Sequence, residues 1–404
     1  MSGGVDSSVA AALLLRQGYD VMGVFMRLGS PKGVESPEAE ACDSSGKSKQ
    51  GCCSVLDAAD ARRVAGMLGI PFYVLNFEQD FGRVIDYFVS EYNLGRTPNP
   101  CVRCNDWLKF GKLTQYARAV GADFVASGHY ARIGTDPATG EKALLRGKDH
   151  RKDQSYVLFG MSRENLEHTL LPIGEFDKAD VRAMAQEMHL PVYNKPDSQE
   201  ICFVPDQDYA ALVRRRSPEA FRAGDIVDTA GKVLGRHEGH QQFTIGQRKG
   251  MGVAVGHPLY VLQIDSNANR VTLGQREELL RSELVADQIN LLSGRLCPFV
   301  PSPGTPGEGA GEGSRGSDDT SLSQHDPHLD PLPGYRERRT KLEVRCQAKI
   351  RYNHQPQPAT AQVTGPDELT VCFDEPQPAI TPGQAVVLYD GDVVLGGGWI
   401  RQSR

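Results

Sequence analysis

The chain opens on Ser2, Gly3, Gly4, Val5, Asp6, Ser7 and Ser8, followed at once by an alanine- and leucine-rich run. That order reads as a loop feeding a helix. The first turn of a helix leaves backbone N–H groups unpaired and carries partial positive charge, so it suits an anion. Gly3 and Gly4 let the backbone come close to such an anion, and the Ser7 and Ser8 hydroxyls add donors. A Walker phosphate loop needs a lysine and a Ser or Thr after its last glycine, and this loop has neither. The plain alternative is a helix start at which Asp6 and the serines act only as caps. The other reactive side chains are thiols. Nine cysteines, an odd count without a visible export signal, read as reduced thiols in a cytoplasmic protein.

The elements that must hold these residues alternate through the first half of the 404 residues. "YDVMGVFMR", "PFYVLNF" and "ADFVASGHY" read as strands. "SVLDAADARRVAGMLG", "QDFGRVIDYFVSEYN", "DWLKFGKLTQYARAVG" and "DKADVRAMAQEMHL" read as helices between and after them. Strands separated by helices of this length predict βαβ units and a mostly parallel sheet. A phosphate loop in such a sheet normally follows a strand. Met1 abuts the loop, so the reading expects the first strand to be missing from the chain as written.

After Tyr209 the texture becomes glycine-rich, and a small β-rich domain is expected over 209–275. From about "HPLYVLQID" onward, short alternating runs ("RVTLG", "LEVRCQAKI", "ATAQVTG", "ELTVCFD", "AVVLYDGDVVLGGG") predict an antiparallel barrel, assigned to 276–404. Inside it, about 298–340 is dense in Pro, Gly, Ser and charge and is expected to be a disordered insert. A second irregular insert carries Cys42, Cys52 and Cys53, which lack paired ligand spacing. Cys297, Cys346 and Cys372 fit barrel positions. The formal charge of −6 gives no global sign of nucleic-acid binding, although a local basic face can coexist with it. No apolar run reaches membrane-spanning length.

"SGGVDSS" resembles the PP-loop of ATP pyrophosphatases, which cradles the pyrophosphate of ATP while a substrate oxygen is adenylated. The longer stretches "GRTPNPCVRCN" (95–105), "SGHYAR" (127–132), "GKDHRKDQSYVLF" (147–159), "DSQEICF" (197–203), "GQRKGMGV" (246–253) and "TPGQAVVLY" (381–389) resemble one branch of that superfamily, the tRNA-specific 2-thiouridylases. The resemblance covers nearly the whole chain apart from the two inserts. It implies an α/β, Rossmann-like PP-loop domain over 1–208, followed by the β-rich central domain and a C-terminal tRNA-binding β-barrel.

The same resemblance implies site residues. Ser2, Gly3, Gly4, Val5, Asp6 and Ser7 hold ATP, with Asp6 helping to hold Mg²⁺ or to orient the loop. Met26 and Gly128 lie against the nucleotide. Cys104 is the catalytic cysteine and Cys202 its persulfide and disulfide partner, with Arg103 and Lys109 as cations that would favour a thiolate. Asn99, Pro100, Cys101, His129, Lys152, Asp153, Gln154, Arg351, Tyr352 and Gln384 face tRNA. Arg351 and Tyr352 pair a cation for phosphate with a ring for base stacking. Many relatives carry Asp where this chain has Cys101.

The activity implied is ATP-dependent 2-thiolation of the wobble uridine of tRNA. Adenylation turns the poor leaving oxygen at C2 into AMP, and a cysteine persulfide supplies sulfur. The sulfur would come from a cysteine desulfurase, directly or through a relay protein. With Cys101 present, three cysteines could instead hold three irons of a [4Fe–4S] cluster. Two further alternatives are a PP-loop synthetase for a small molecule and an RNA-binding protein without catalysis.

Overall fold

The computed structural model describes residues 1–29, 55–197, 201–204, 208–296 and 343–404. Both expected inserts, with Cys42, Cys52, Cys53 and Cys297, lie largely or wholly outside these.

The first helix, α1 (Val5–Arg16), starts directly from the glycine loop, with Gly4 extended at its N-terminus. Its alanine-rich sequence makes it slim enough to be buried on opposite sides. Val5, Val9, Ala10 and Leu13 pack with Val181, Ala185, Leu190 and Val192, while Ala11 packs with Ala65 and Ile70. Then follow β1 (Gly23–Arg27), α2 (Val55–Leu68), β2 (Phe72–Asn76) and α3 (Glu78–Asn93). β1 and β2 pair in parallel with Met26 opposite Leu75. A long helix comes next in three registers: α4 (Pro100–Arg103), a π-helical stretch (Cys104–Lys112) and α5 (Leu113–Ala119).

The strand expected over 122–130 is reduced to β3 (Val125–Ala126). It leads into the hairpin β4 (Ala131–Thr135) and β5 (Lys142–Arg146), then α6 (Arg163–Glu167), β6 (Thr169–Leu170) and α7 (Lys178–Glu187). β3 and β6 pair in parallel. The parallel sheet therefore consists of two separate two-stranded pairs among the described residues.

Helix α8 (Tyr209–Arg216) opens the central part. Its sheet contains β7 (Gly224–Val227), β8 (Val233–His237), β9 (Tyr260–Asp265) and β10 (Arg270–Gly274) in the order β8-β7-β10-β9. The runs "YVLQID" and "RVTLG", read above as the start of the barrel, belong to this sheet. Alternation alone cannot say which sheet a short strand joins.

Six strands close the C-terminal barrel: β11 (Leu280–Leu291), β12 (Glu343–Lys349), β13 (Gln357–Gly365), β14 (Glu368–Pro378), β15 (Ala385–Asp390) and β16 (Val393–Ser403). Every pairing is antiparallel, and β11 closes the ring by bonding both β14 and β16. The unbroken apolar run in β15 has a physical reason. Val386 and Leu388 fill the barrel interior, while Ala385, Val387 and Tyr389 enter a second core shared with Val102, Phe110, Tyr156 and Phe159. A strand buried on both faces loses its polar alternation. The β4–β5 hairpin also extends the barrel sheet through β16, with Leu145 opposite Val393.

Candidate active site and RNA face

The opening loop is tied down by cations that sequence reasoning missed. Lys178, at the start of α7, places Nζ 2.8 and 2.9 Å from the two Asp6 carboxylate oxygens, and the Tyr130 hydroxyl donates to the same group at 2.8 Å. Lys195 donates to the Gly3 carbonyl at 3.0 Å and pairs with Asp57 at 2.6 Å and Asp60 at 2.7 Å. Asp197 collects Lys178 at 2.8 Å, Lys152 at 2.9 Å and Arg182 at 3.0 Å. Burial works against its charge, but the hydrogen bonds from Lys178 and Lys152 outweigh it and hold its carboxyl down to about 2. The available signal was position, since Lys195 and Asp197 sit just ahead of "EICF".

Loop geometry explains the glycines. Gly3 has φ +74°, and a Cβ there would meet the Asp57 carbonyl oxygen at 2.2 Å. Only glycine fits both demands. The Ser2 amide donates to the Ser7 hydroxyl at 3.0 Å, and the Ser7 and Ser8 hydroxyls donate back to the Gly4 carbonyl at 3.3 and 2.8 Å. Gly128 lies against this loop from the other side. A Cβ there would come within 2.6 Å of the Asp6 carbonyl carbon and the Ser7 nitrogen.

Cys104 stands where the long helix changes from α to π geometry. π segments are rare and cluster at functional sites. Within it Gly111 passes close to the Asp106 carbonyl oxygen, which a Cβ there would meet at 2.7 Å. The thiols of Cys104 and Cys202 are both half-buried, and Cys101 is exposed. Cys104, Cys202 and Met26 all pack against one apolar cluster that includes Phe81, Phe88 and Phe203. Residues remote in sequence, expected to share one reaction centre, thus border the same core.

The two cations expected to assist Cys104 also make other contacts. The Arg103 guanidinium lies 3.9 Å from the Trp399 ring centre and 5.2 Å from those of Tyr87 and Trp107. It also donates to Gln288 at 2.5 Å. Lys109 lies 3.4 Å from Nε2 of His129. An ammonium can only donate, so Nδ1 of His129 carries the proton and donates to the Ser127 hydroxyl at 2.6 Å. Burial, and secondly Lys109, push the His129 pKa well below its usual value, which leaves a neutral, buried imidazole.

Most residues expected to face RNA come together from both ends of the chain. Asn99 caps α4 by accepting from the Val102 amide at 3.4 Å. The Gln384 amide donates to the Thr97 and Pro98 carbonyls at 3.1 and 3.0 Å, joining the barrel to the stretch ahead of Pro100. Tyr352 is exposed beside this junction. Burial first, then the nearby Asp153 carboxylate and Cys101 thiol, push its phenol up, and a hydrogen bond with Gln154 pulls it part of the way back. Arg351 donates to the Pro378 carbonyl at 3.0 Å.

Several of these side chains are engaged inside the protein. Asp153 is buried and accepts from Gly147, from the Ser155 amide and from the Ser155 hydroxyl at 3.1, 3.0 and 2.9 Å. Gln154 accepts from the Tyr130 amide at 2.9 Å. Both shape the loop that positions Tyr130 against Asp6.

Residues 1–206 match the family described as the tRNA methyl transferase HUP domain, 212–275 its PRC-barrel domain, and 333–400 the aminomethyltransferase beta-barrel domain. A tRNA-specific 2-thiouridylase MnmA from Clostridioides difficile is 45% identical over 100% of this chain and 97% of its own. The chain belongs to the tRNA-specific 2-thiouridylase family. Further members of the same name, from Rhodopirellula baltica and Carboxydothermus hydrogenoformans, are 46% and 44% identical. Each aligns over 100% of this chain, and over 95% and 96% of its own length. Among solved structures, the NMN synthetase from Francisella tularensis overlays with a TM-score of 0.29 at 18% identity. That overlay covers 54% of this chain and 83% of the other, a likeness too slight to argue from. Among the described residues no helix is long and apolar enough to cross a membrane.

Proposed function

We propose that this 2-thiouridylase family member transfers sulfur to C2 of the wobble uridine of tRNA, with ATP as the activating substrate and a cysteine persulfide as the sulfur carrier. The observation that carries this reading is that Cys104 and Cys202 border one apolar cluster together with Met26. The uridine C2 oxygen attacks the α-phosphorus of ATP and pyrophosphate leaves. The terminal sulfur of a Cys202 persulfide then adds to C2 and expels AMP. Cys104 takes the inner sulfur as a disulfide and frees the thiocarbonyl. A thiol reductant and a sulfur donor, a cysteine desulfurase acting directly or through a relay protein, restore the persulfide.

The loop of Ser2 to Ser7 would receive the phosphates, with Gly128 against its back. Mg²⁺ would enter with ATP. Lys178 and Tyr130 hold both oxygens of Asp6, which supports its loop-orienting role over a metal-ligand role. Among the described residues no three His, Cys, Asp or Glu side chains gather into a metal-holding group. Cys101, Cys104 and Cys202 are thus not gathered as three ligands of an iron–sulfur cluster would be. The reading assigns activation and sulfur transfer to residues 1–208, and tRNA contacts to the barrel over 276–404 and its junction with Asn99, Pro100 and Cys101. Residues 209–275 connect them.

The test is nucleoside analysis of a tRNA transcript with an unmodified wobble uridine after incubation with Mg-ATP and a persulfide donor. 2-Thiouridine is expected, Cys104→Ala and Cys202→Ala should abolish it, and Cys101→Asp should retain it. Methylated uridine in place of thiolated uridine would sink the reading.

A further inference from the structure

Strand β12 ends in Lys349, which is 7% exposed. No described residue gives its ammonium a hydrogen bond or an ion pair; its close partners are the rings of Tyr156 and Tyr352, each centred 5.6 Å away. Those rings meet edge to face at 6.3 Å.

The charges around it are unbalanced. Arg146, at the end of β5, lies with its guanidinium 4.2 Å over the Tyr389 ring and donates to Gln347 at 3.3 Å, while its buried Nε has no partner. Arg351 follows on the barrel side with only a carbonyl as acceptor. His354 is held below its usual pKa by burial, then by Arg351 and Lys349, and its buried Nδ1 has no partner. The carboxylate that acts on Lys349 is Asp153, whose oxygens are occupied by Gly147 and Ser155. None of Arg146, Lys349 and Arg351 forms an ion pair among the described residues.

Holding the largely buried Lys349 beside the half-buried Arg146, with an Asp153 whose oxygens are already engaged, is costly, and such a site suits an anion arriving from outside. Tyr352 lies at the same junction as Cys101, so the anion sits beside the target nucleotide. ATP has its own loop elsewhere in the fold. We propose that Lys349, with Arg146, binds a backbone phosphate of the tRNA adjacent to the target uridine. This rests on the tRNA reading above.

The experiment measures binding of the tRNA transcript across a range of salt concentrations for wild type, Lys349→Met and Lys349→Arg, with thermal melting of each. Lys349→Met should bind about tenfold more weakly near 0.1 M salt. The slope of log K against log salt should become shallower by about one. Its melting temperature should hold or rise, because an ammonium with no hydrogen-bonded counter-ion is replaced by an apolar side chain. Lys349→Arg should restore the slope. An unchanged slope overturns the proposal, whether affinity holds, falls through a neutral base contact, or falls together with melting temperature. A wild type that binds no tRNA overturns both readings. A wild type that thiolates tRNA, with Lys349→Met at the wild-type slope, overturns this one alone.

Discussion

Gly128→Ala tests whether the end of β3 sets the position of the phosphate loop. The added Cβ would lie 2.6 Å from the Asp6 carbonyl carbon and the Ser7 nitrogen, and 2.9 Å from the Asp6 oxygen. Ordinary contact between such atoms is about 3.5 Å or more, so the loop must retreat by about 0.9 Å. All three atoms are backbone, and no side chain can swing aside to absorb the change. Overpacking of this kind costs about 1–3 kcal/mol of stability. A reacting group displaced by about 1 Å loses on the order of 10²-fold in rate, which is about 2.7 kcal/mol of barrier. The assay is tRNA-dependent release of pyrophosphate from Mg-ATP, with melting measured alongside. Gly66→Ala is the control. Gly66 lies within α2, and a methyl group added there would meet nothing within 4 Å. Alanine at that position should add about 0.5–1 kcal/mol and leave the rate alone. If Gly128→Ala keeps a rate within twofold of wild type and melts like the control, the loop does not depend on this contact.

Arg103→Ala should lower stability by about 1–2 kcal/mol through loss of the cation–π contacts with Trp399, Tyr87 and Trp107. Arg103→Lys should recover only part of it, lacking the planar group; equal denaturation midpoints in all three proteins would refute the aromatic seat. Asp197 carries a pH signature. A carboxyl held down to about 2 stabilises the fold fully above its ordinary value of about 3.9, and that contribution is lost as pH falls through about 2. Asp197→Asn should therefore flatten the acid limb of stability between about pH 4 and pH 2, as read by denaturant titration. An acid limb superimposable on wild type would show that Lys178 and Lys152 do not use this carboxylate.

The glycine loop and its helix are legible because type and order alone impose them: small residues, hydroxyls, then an apolar run. The barrel is legible as alternation, but alternation does not separate β9 and β10 from barrel strands; only the boundary placed at 275 leaves them to the central sheet, where they lie. The periodicity places the start of the long helix at Asp106, whereas it begins at Pro100. Cys101, Val102 and Cys104 carry no amphipathic period of their own, and Pro100 reads as a break until it is seen at the first position of a helix. Lys178, Lys195 and Lys349 are invisible for another reason. A lysine in sequence is a surface residue by default, and only the fold reveals that these three are buried or half-buried against carboxylates or rings. His129, expected at the RNA face, is a buried, neutral side chain held between Ser127 and Lys109.

The barrel packs directly against the cysteine-bearing stretch 99–104. Val102 sits between Cys101 and Cys104, and it packs in the same core as Val387, Tyr389 and Trp399 from the last two strands. Arg103, the next residue, stacks on Trp399 and reaches Gln288 on β11. Gln384 holds the carbonyls just ahead of Asn99. The stretch from Asn99 to Cys104 is thus fixed from the barrel side, while Lys109 and His129 face the first domain. A side-chain change on β15 or β16 is transmitted to the cysteine helix through close-packed atoms, because interiors at this density pass on displacement rather than absorb it. Lys349 on β12 lies opposite Val387 of β15, whose side chain shares a core with Val102, so the barrel strand nearest Tyr352 is joined to the cysteine helix by packing.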